Sequence, residues 1–508
     1  VDFAGTLDGQ GHSVLNLNST SGFINREGAT VFKKLTADGT IKNLHLQTFL
    51  PSNGNEGRTK GALLIQTMEG TIENCFFEID AEFNGWMYGS AVFQHLAATT
   101  KVTDTVFYIP TTTDLRLMCA TSSSNTQQLG IFQNVAYIYK SFNYAGLLPT
   151  NSVNENISGI YLIQAGGAFS APKALKAEYA TGSTTNAPKD NPALLWEDTS
   201  LESITAVMEG FTFTADTLKF GDTIIVGAGA EREVSDAFSL VWGIRSNPSG
   251  TFKLTKDIDM SDYLTQFPWT SKTEAFFNVD FSGTLDGQGY SILNLDSTSG
   301  LINREGATVF KKLTADGTIK NLHLQAYLPT NGNAGKAKSA MLIQTMEGTI
   351  ENCFFELSAE FDAASGMWSS GLFQHLAATT KVTNTVFYLP ETVDLRLMCA
   401  TSSTQTDALG TFQNVAYVFG GFDMNNALPR KVNASISGIY LITADTEGGT
   451  FTDVKALKPE YASGTTTNGV DLWEATELAN VGSAMPGFTF TDTSISFGGK
   501  VIIDYSAE

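Results

Sequence analysis

The sequence predicts an all-β protein made of two tandem parallel β-helices. Each is followed by a small β-rich module, and a short capping helix precedes the second β-helix. Three observations lead there. A long unit recurs almost unchanged within the chain. A shorter period, 25–31 residues in the first unit, runs inside each unit. Each short period carries a strand, a bend at one Asn, and a second strand.

The long repeat comes first, because missing it misreads the whole chain. "FAGTLDGQGHSVLNL" from Phe3 returns as "FSGTLDGQGYSILNL" from Phe281, 278 residues later. Residues 1–231 align with 279–508 nearly end to end. "GATVFKKLTADGTIKNLHLQ" occurs unchanged from Gly28 and from Gly306. A two-residue insertion distinguishes "EFNGWMYGS" from "EFDAASGMWSSG" and marks a variable loop.

The short period reads apolar–x–Asn–apolar–x–apolar. Its pivots are Asn16, Asn43, Asn74, Asp104, Asn134 and Gly159, then Asn294, Asn321, Asn352, Asn384, Asn414 and Gly438. Alternation about Asn43 places Leu44 and Leu46 on one face, and the register flips at the pivot. Asn tolerates the left-handed conformation that such a bend needs, and stacked Asn side chains can bond in a ladder. Apolar strands precede the pivots at "VFKKL", "LIQTM" and "VFQHL". In "DLRLMCA" the residues Leu115, Leu117 and Cys119 alternate inward. Short strands recurring at this period form a solenoid. Six coils at ~4.8 Å give a rod of roughly 29 Å per unit.

"GLFQ" at Gly371, "GTIKNLHL" at Gly39 and "FAGTLDGQG" at Phe3 resemble the GLUG-type repeats of bacterial surface proteins. Those repeats are similar, more distantly, to the β-helices of filamentous-haemagglutinin-like adhesins and pectate-lyase-like proteins. "SGTFKLTKDIDMSD" from Ser249 looks like the strand that opens such coils. The resemblance covers about 1–165 and 235–445. It implies right-handed coils and leaves activity open, because that superfamily includes adhesins, enzymes and phage tailspikes.

The domain expectation is therefore as follows. Residues 1–165 form the first β-helix, without an N-terminal cap. Residues 166–234 form a β-rich linker module. Residues 235–445 form the second β-helix with its capping helix at 235–247, and 446–508 form the second module. "GFTFTADTLKFGDTIIVGA" and "GFTFTDTSISFGGKVIIDY" supply the strand alternation of the two modules. In the capping helix Ser235 is the expected N-cap, with Asp236 in the first turn. Phe238, Val241 and Trp242 would share one face, and Pro248 ends the run.

Composition narrows the partners. Of 508 residues, 31 are Lys or Arg and 52 are Asp or Glu, giving a formal net charge of −21. That balance speaks against nucleic acid and anionic membranes. No run nears ~18 consecutive apolar residues, so no transmembrane helix and no membrane insertion are expected. Val1 begins inside a motif, which reads as a processed or excised piece. The four cysteines are Cys75, Cys119, Cys353 and Cys399. Their inward positions favour buried free thiols, although an even count permits disulfides.

Candidate chemistry is sparse. His12, His45, His95, His323 and His375 each stand alone in the sequence, without an adjacent carboxylate or nucleophile motif. "LDGQG" reads as a tight turn. Asp257, Asp259 and Asp262 offer carboxylates but lack the glycine of a calcium loop, so neither metal nor cofactor is expected. Asp114 with Arg116 and Asp394 with Arg396 are the pairs that a polysaccharide-active site would use, and otherwise surface ion pairs. Trp86, Tyr88 and Trp368, in the variable loop, are the candidate binding residues, since exposed rings stack on sugars or grip a partner.

The expected function is non-enzymatic. The chain reads as an extracellular, surface-displayed structural or adhesive repeat protein of bacterial type: a stalk, adhesin or filament subunit. Its partners would be neighbouring copies of the repeat at open N- and C-terminal ends, and a host or environmental glycan or protein. A polysaccharide-active enzyme or phage tailspike is the first alternative, and a non-catalytic glycan-binding module the second.

Overall fold

The bend at each pivot organises the coil. The backbone is left-handed at all twelve pivot residues, with φ between 46° and 62°. A residue that tolerates this region turns a strand without breaking it. Side chains on both sides of the bend then point inward: Ile41 before Asn43, and Leu44 and Leu46 after it. The next coils repeat the set with Ile72, Cys75 and Phe77, and with Phe132, Val135 and Tyr137.

The computed structural model describes residues 1–18, 30–51, 62–82, 91–112, 115–119, 130–144, 148, 156–166, 168–177, 192–269, 275–297, 308–328, 340–358, 371–391, 396–399, 410–422, 424, 428, 435–461 and 470–507. They fall into two compact units, Val1–Ala230 and Glu231–Glu508.

In the first unit successive coils pair in parallel, one period apart. Thr71–Glu82 lies beside Lys101–Ile109, which lies beside Ile131–Tyr139 and then Ile157–Ala165. A second parallel sheet runs through Asp2–Phe3, Phe32–Leu35, Ala62–Met68, Ala91–Leu96 and Arg116–Cys119. The unit is thus a parallel β-solenoid, as the repeat predicts. The "DLRLMCA" stretch is the last rung of this second sheet. Leu115 and Leu117 point inward as expected, but Met118 is buried too, and the register shifts between Arg116 and Cys119.

The main sheet is buried on both faces. Phe76, Val106, Tyr108, Ala136, Ile138 and Ile163 point away from the solenoid interior into a second core. Phe169, Ile204, Met208, Phe211, Phe213 and Leu218 cover them. This explains the unbroken apolar runs "TVFYI" and "NVAYIY": a parallel sheet covered on both faces loses alternation. The covering residues come from the stretch after the coils. Phe169–Leu175 adds antiparallel to the sheet end. Leu201–Thr205 forms a short helix capped by Ser200, and Phe211–Phe213, Thr217–Phe220 and Thr223–Gly227 form a three-stranded antiparallel sheet. The second unit repeats this clamp, with Leu478, Val481, Phe488 and Ile495 against Phe354, Val386 and Val418.

The second unit also has an opening segment. Glu231–Val234 pairs in parallel with Thr251–Leu254, which pairs with Thr284–Asp286. The helix between them runs Ala237–Ser246. Its N-cap is Asp236, whose side chain accepts from the Ser239 amide, and not Ser235 as expected. Nor does it bury a single face: Leu240, Val241, Trp242, Gly243 and Ile244 are all buried. Gly243 makes this possible, because a Cβ there would press on the Phe252 ring. A second short helix, Ser261–Gln266, follows.

Candidate functional site

The sequence-predicted binding residues Trp86, Tyr88 and Trp368 lie outside the described residues. So do Asp114 and Asp394, and with them the carboxylates of the proposed polysaccharide site. Arg116 lies on the last rung of the second sheet, as does the backbone of Arg396.

The described polar groups collect in two columns that run from coil to coil. The first is the pivot ladder. Asn43 donates to Asp8 at 3.0 Å and Asn74 donates to Asn43 at 2.9 Å. Asn134 donates to Asp104 at 3.0 Å. In the second unit Asn321 donates to Asp286, Asn352 to Asn321 and Asn384 to Asn352, at 2.8–3.0 Å. Asp8 also accepts from the Gln10 amide, so "LDGQG" is a turn with its acid bound to its own backbone. Gln10 and Gly11 take φ of 50° and 80°. The Asn43 hydrogen bond holds the Asp8 carboxyl below the usual carboxylate range.

The second column corrects the expectation that the histidines stand alone. His45 Nδ1 lies 2.9 Å from Ser13 Oγ, and His45 Nε2 lies 3.5 Å from Glu78 Oε2. In the second unit His323 Nδ1 lies 3.0 Å from Ser291 Oγ, and its Nε2 lies 3.1 Å from Glu356 Oε2. Gln325 donates to the other Glu356 oxygen at 3.0 Å. The register places Ser291 beside His323 and His323 beside Phe354, one coil apart each time. His323 packs edge-on against Phe354. No local motif shows this column, since its members are 32 and 33 residues apart. The coil period was the available signal.

A serine, a histidine and a carboxylate in sequence is the connectivity of an activated nucleophile. Access decides against that use in the second unit. Ser291 and His323 are only 5% and 4% exposed, so a substrate carbonyl cannot reach the hydroxyl. The column ties three coils together on the outer face. The three aspartates weighed for calcium are distributed differently again. Asp259 accepts from the Ser261 amide and hydroxyl just ahead of the short helix, and from Asn294 in a pair separate from the ladder that begins at Asp286. Asp257 accepts from the Ser291 amide and faces Lys500 at 3.3 Å. Among the described residues no group of three acids, histidines or cysteines is placed to hold a metal.

Cys75 and Cys353 are buried free thiols, as expected. Burial pushes both up to about 12. The side chains of Cys119 and Cys399 lie outside the described residues. Among those described, no helix is long and apolar enough to cross a membrane. No protein-family model, curated protein or solved structure matches the chain. The likeness to GLUG-type repeats therefore rests on the quoted motifs alone, while the β-solenoid itself is directly visible.

Proposed function

We propose that this chain is a structural or adhesive repeat protein of the extracellular surface type, in which each unit is a load-bearing element and not a catalyst. The observation that carries this reading is where the polar groups go. The Asn ladder in both units and the Ser–His–Glu column, hydrogen-bonded from end to end in the second unit and from Ser13 to His45 in the first, join one coil to the next. The covering module holds the outer face of the same sheet in both units. Such a design resists unravelling, because a coil is released only with its neighbours.

Single-molecule pulling of the whole chain tests this. The expected trace has two high-force events, each releasing most of a unit. Each unit of about 230–280 residues yields at most ~3.6 Å per residue. Many small early steps at low force would overturn the reading. Immunolabelling of intact cells tests surface display. Turnover of a polysaccharide panel would favour the enzyme alternative. Saturable glycan binding lost in Trp86→Ala with Trp368→Ala would favour the glycan-binding module.

A further inference from the structure

The two units seat their covering modules on the pivot ladder through the same turn, but with different chemistry. In the second unit Asn384 donates to Asn352 Oδ1 at 3.0 Å and to the Pro486 carbonyl at 2.7 Å. One side-chain amide thus completes the ladder and holds the module. The turn itself closes with the Phe488 amide donating to Met485 O and the Gly498 amide donating to Gly487 O. In the first unit the matching turn runs from Met208 to Phe211, two residues of the second core. It closes in the same way, from the Phe211 amide to Met208 O and from the Gly221 amide to Gly210 O. Gly210 sits so close to the ladder that a Cβ there would come within 2.6 Å of Asn74 Oδ1. The side chains at the contact differ. Asp104 stands where Asn384 stands, and Glu209 stands where Pro486 stands. Asn74 Oδ1 is buried without a hydrogen-bond donor. Asp104 Oδ1 accepts from Asn134, which leaves Oδ2 in the role of the Asn384 amide. An ionised carboxylate has no hydrogen to give in that role.

We propose that Asp104 is a proton-operated latch between the solenoid and the covering module of the first unit. A proton taken from solvent onto Asp104 Oδ2 makes that oxygen a donor. It then bonds to Asn74 Oδ1 and restores the rung that Asn384 makes in the second unit. When the proton returns to solvent, two acceptors are left facing each other at the turn, and Glu209 adds a further negative charge. The groups acting on Asp104 come from every element around it. Burial and the acids Glu209, on the module, and Glu73, on the preceding coil, favour the protonated form. Asn134, on the following coil, and Lys101, on the same strand, oppose them, and the net result is a carboxyl held above its usual range. The latch is therefore closed below the ordinary Asp value near 3.9 and opens as pH rises through the folded value. The second unit has Asn384 and Pro486 at these places, so its turn stays seated throughout. The latch concerns one turn and holds whether or not the units bear load.

Hydrogen exchange of the whole chain at about pH 4 and about pH 7 tests this, with each rate compared with the intrinsic rate at the same pH. On acidification the Phe211 and Gly221 amides should gain about 2- to 5-fold more protection than Phe488 and Gly498. Asp104→Asn should hold Phe211 and Gly221 at the protected level at both pH values. Asn384→Asp should carry the pH response over to Phe488 and Gly498, which a merely structural role for the pivot would not do. Equal changes at the two turns would overturn the proposal, as would a pH response at Phe211 that survives Asp104→Asn. So would a matching gain at pH 7 on adding calcium chloride, because the facing oxygens would then be a cation site and not a proton latch.

Discussion

Leu7 and Leu285 hold the same place in two nearly identical coils, yet only Leu285 is fully buried. The same contrast runs through Phe3 and Phe281, Asp8 and Asp286, and Ser13 and Ser291. The sequences of the two coils hardly differ, so the difference comes from the neighbour. A solenoid coil has no core of its own and acquires one from the coils on either side. Further along, the units agree closely. Phe107 stacks on Phe77 at 5.5 Å and on Tyr137 at 5.2 Å, and Phe387 stacks on Phe355 at 5.5 Å and on Tyr417 at 5.4 Å.

The largest expected effects lie where the units agree. Phe107→Ala and Phe387→Ala each empty the middle of a three-ring stack and should cost about 3–5 kcal/mol. Chemical denaturation that resolves the two units should show the two losses within about 1 kcal/mol of each other. A much smaller loss in the first unit would mean that its stack is held less firmly than that of the second, and would break the comparison.

Phe252→Ala acts where the units differ. Its ring fills the space beside Gly243 and lies over the opening coil of the second unit. The loss should be about 3 kcal/mol, confined to the second unit. Exchange at Thr284–Asp286 should then approach that of Thr6–Asp8. If the Thr284 amide keeps its protection, the helix and not the strand is what seals the coil.

A smaller effect should follow from Asn352→Ala. Asn352 has φ of 52°, donates to Asn321 and accepts from Asn384. Losing the tolerant residue and two hydrogen bonds should cost about 1–3 kcal/mol. Asn74→Ala should cost less, because Asn74 Oδ1 is buried without a donor. Thermal melts of the two variants measure the difference, and equal losses would show that the bend outweighs the ladder.

The solenoid was legible in the sequence because its period and its bend residue are local. The pivots from Asn43 to Gly159 and from Asn321 to Gly438 could be read from a six-residue pattern, whereas Asn16 and Asn294 fit the pattern but lie beside Gln47 and Gln325, the corner of those coils falling at Gly9 and Gly287. What lay beyond reach depends on contacts between stretches far apart. Phe76, Tyr108 and Ile138 fall outside the inward pattern about each pivot, and they are the floor of a second core whose roof comes from residues 169–226. His323 looked solitary because its partners, Ser291 and Glu356, are one coil away on either side. The short helices at 201–205, 261–266 and 478–484 were missed because one or two turns leave no periodic signal. Trp86, Tyr88 and Trp368 were chosen as rings in a loop whose length differs between the two repeats.

The least effect concerns one atom pair. Asp104 and Asn384 are equivalent pivots, with φ of 46° and 47° respectively. Asn384 donates to Asn352 Oδ1 and to the Pro486 carbonyl. An ionised Asp104 donates nothing, so the ladder of the first unit is broken between Asn74 and Asp104 and resumes only where Asn134 donates to Asp104. Burial raises the Asp104 carboxyl above its usual range, and Glu209 and Glu73 push the same way against Asn134 and Lys101. A carboxyl whose folded-state pKa exceeds the unfolded value holds its proton more tightly when folded. Stability therefore falls as pH rises from the unfolded value through the folded one, and Asp104 is a cost at neutral pH. Asp104→Asn should stabilise the first unit at pH 7 by under ~1 kcal/mol, since solvent reaches part of the group. The gain should vanish on acidification below the ordinary Asp range near 3.9. Asn384→Asp should destabilise the second unit at pH 7 and less so in acid. Melts of both variants at the two pH values measure this. A gain from Asp104→Asn that persists unchanged in acid would show that the carboxylate charge is not what separates the two ladders.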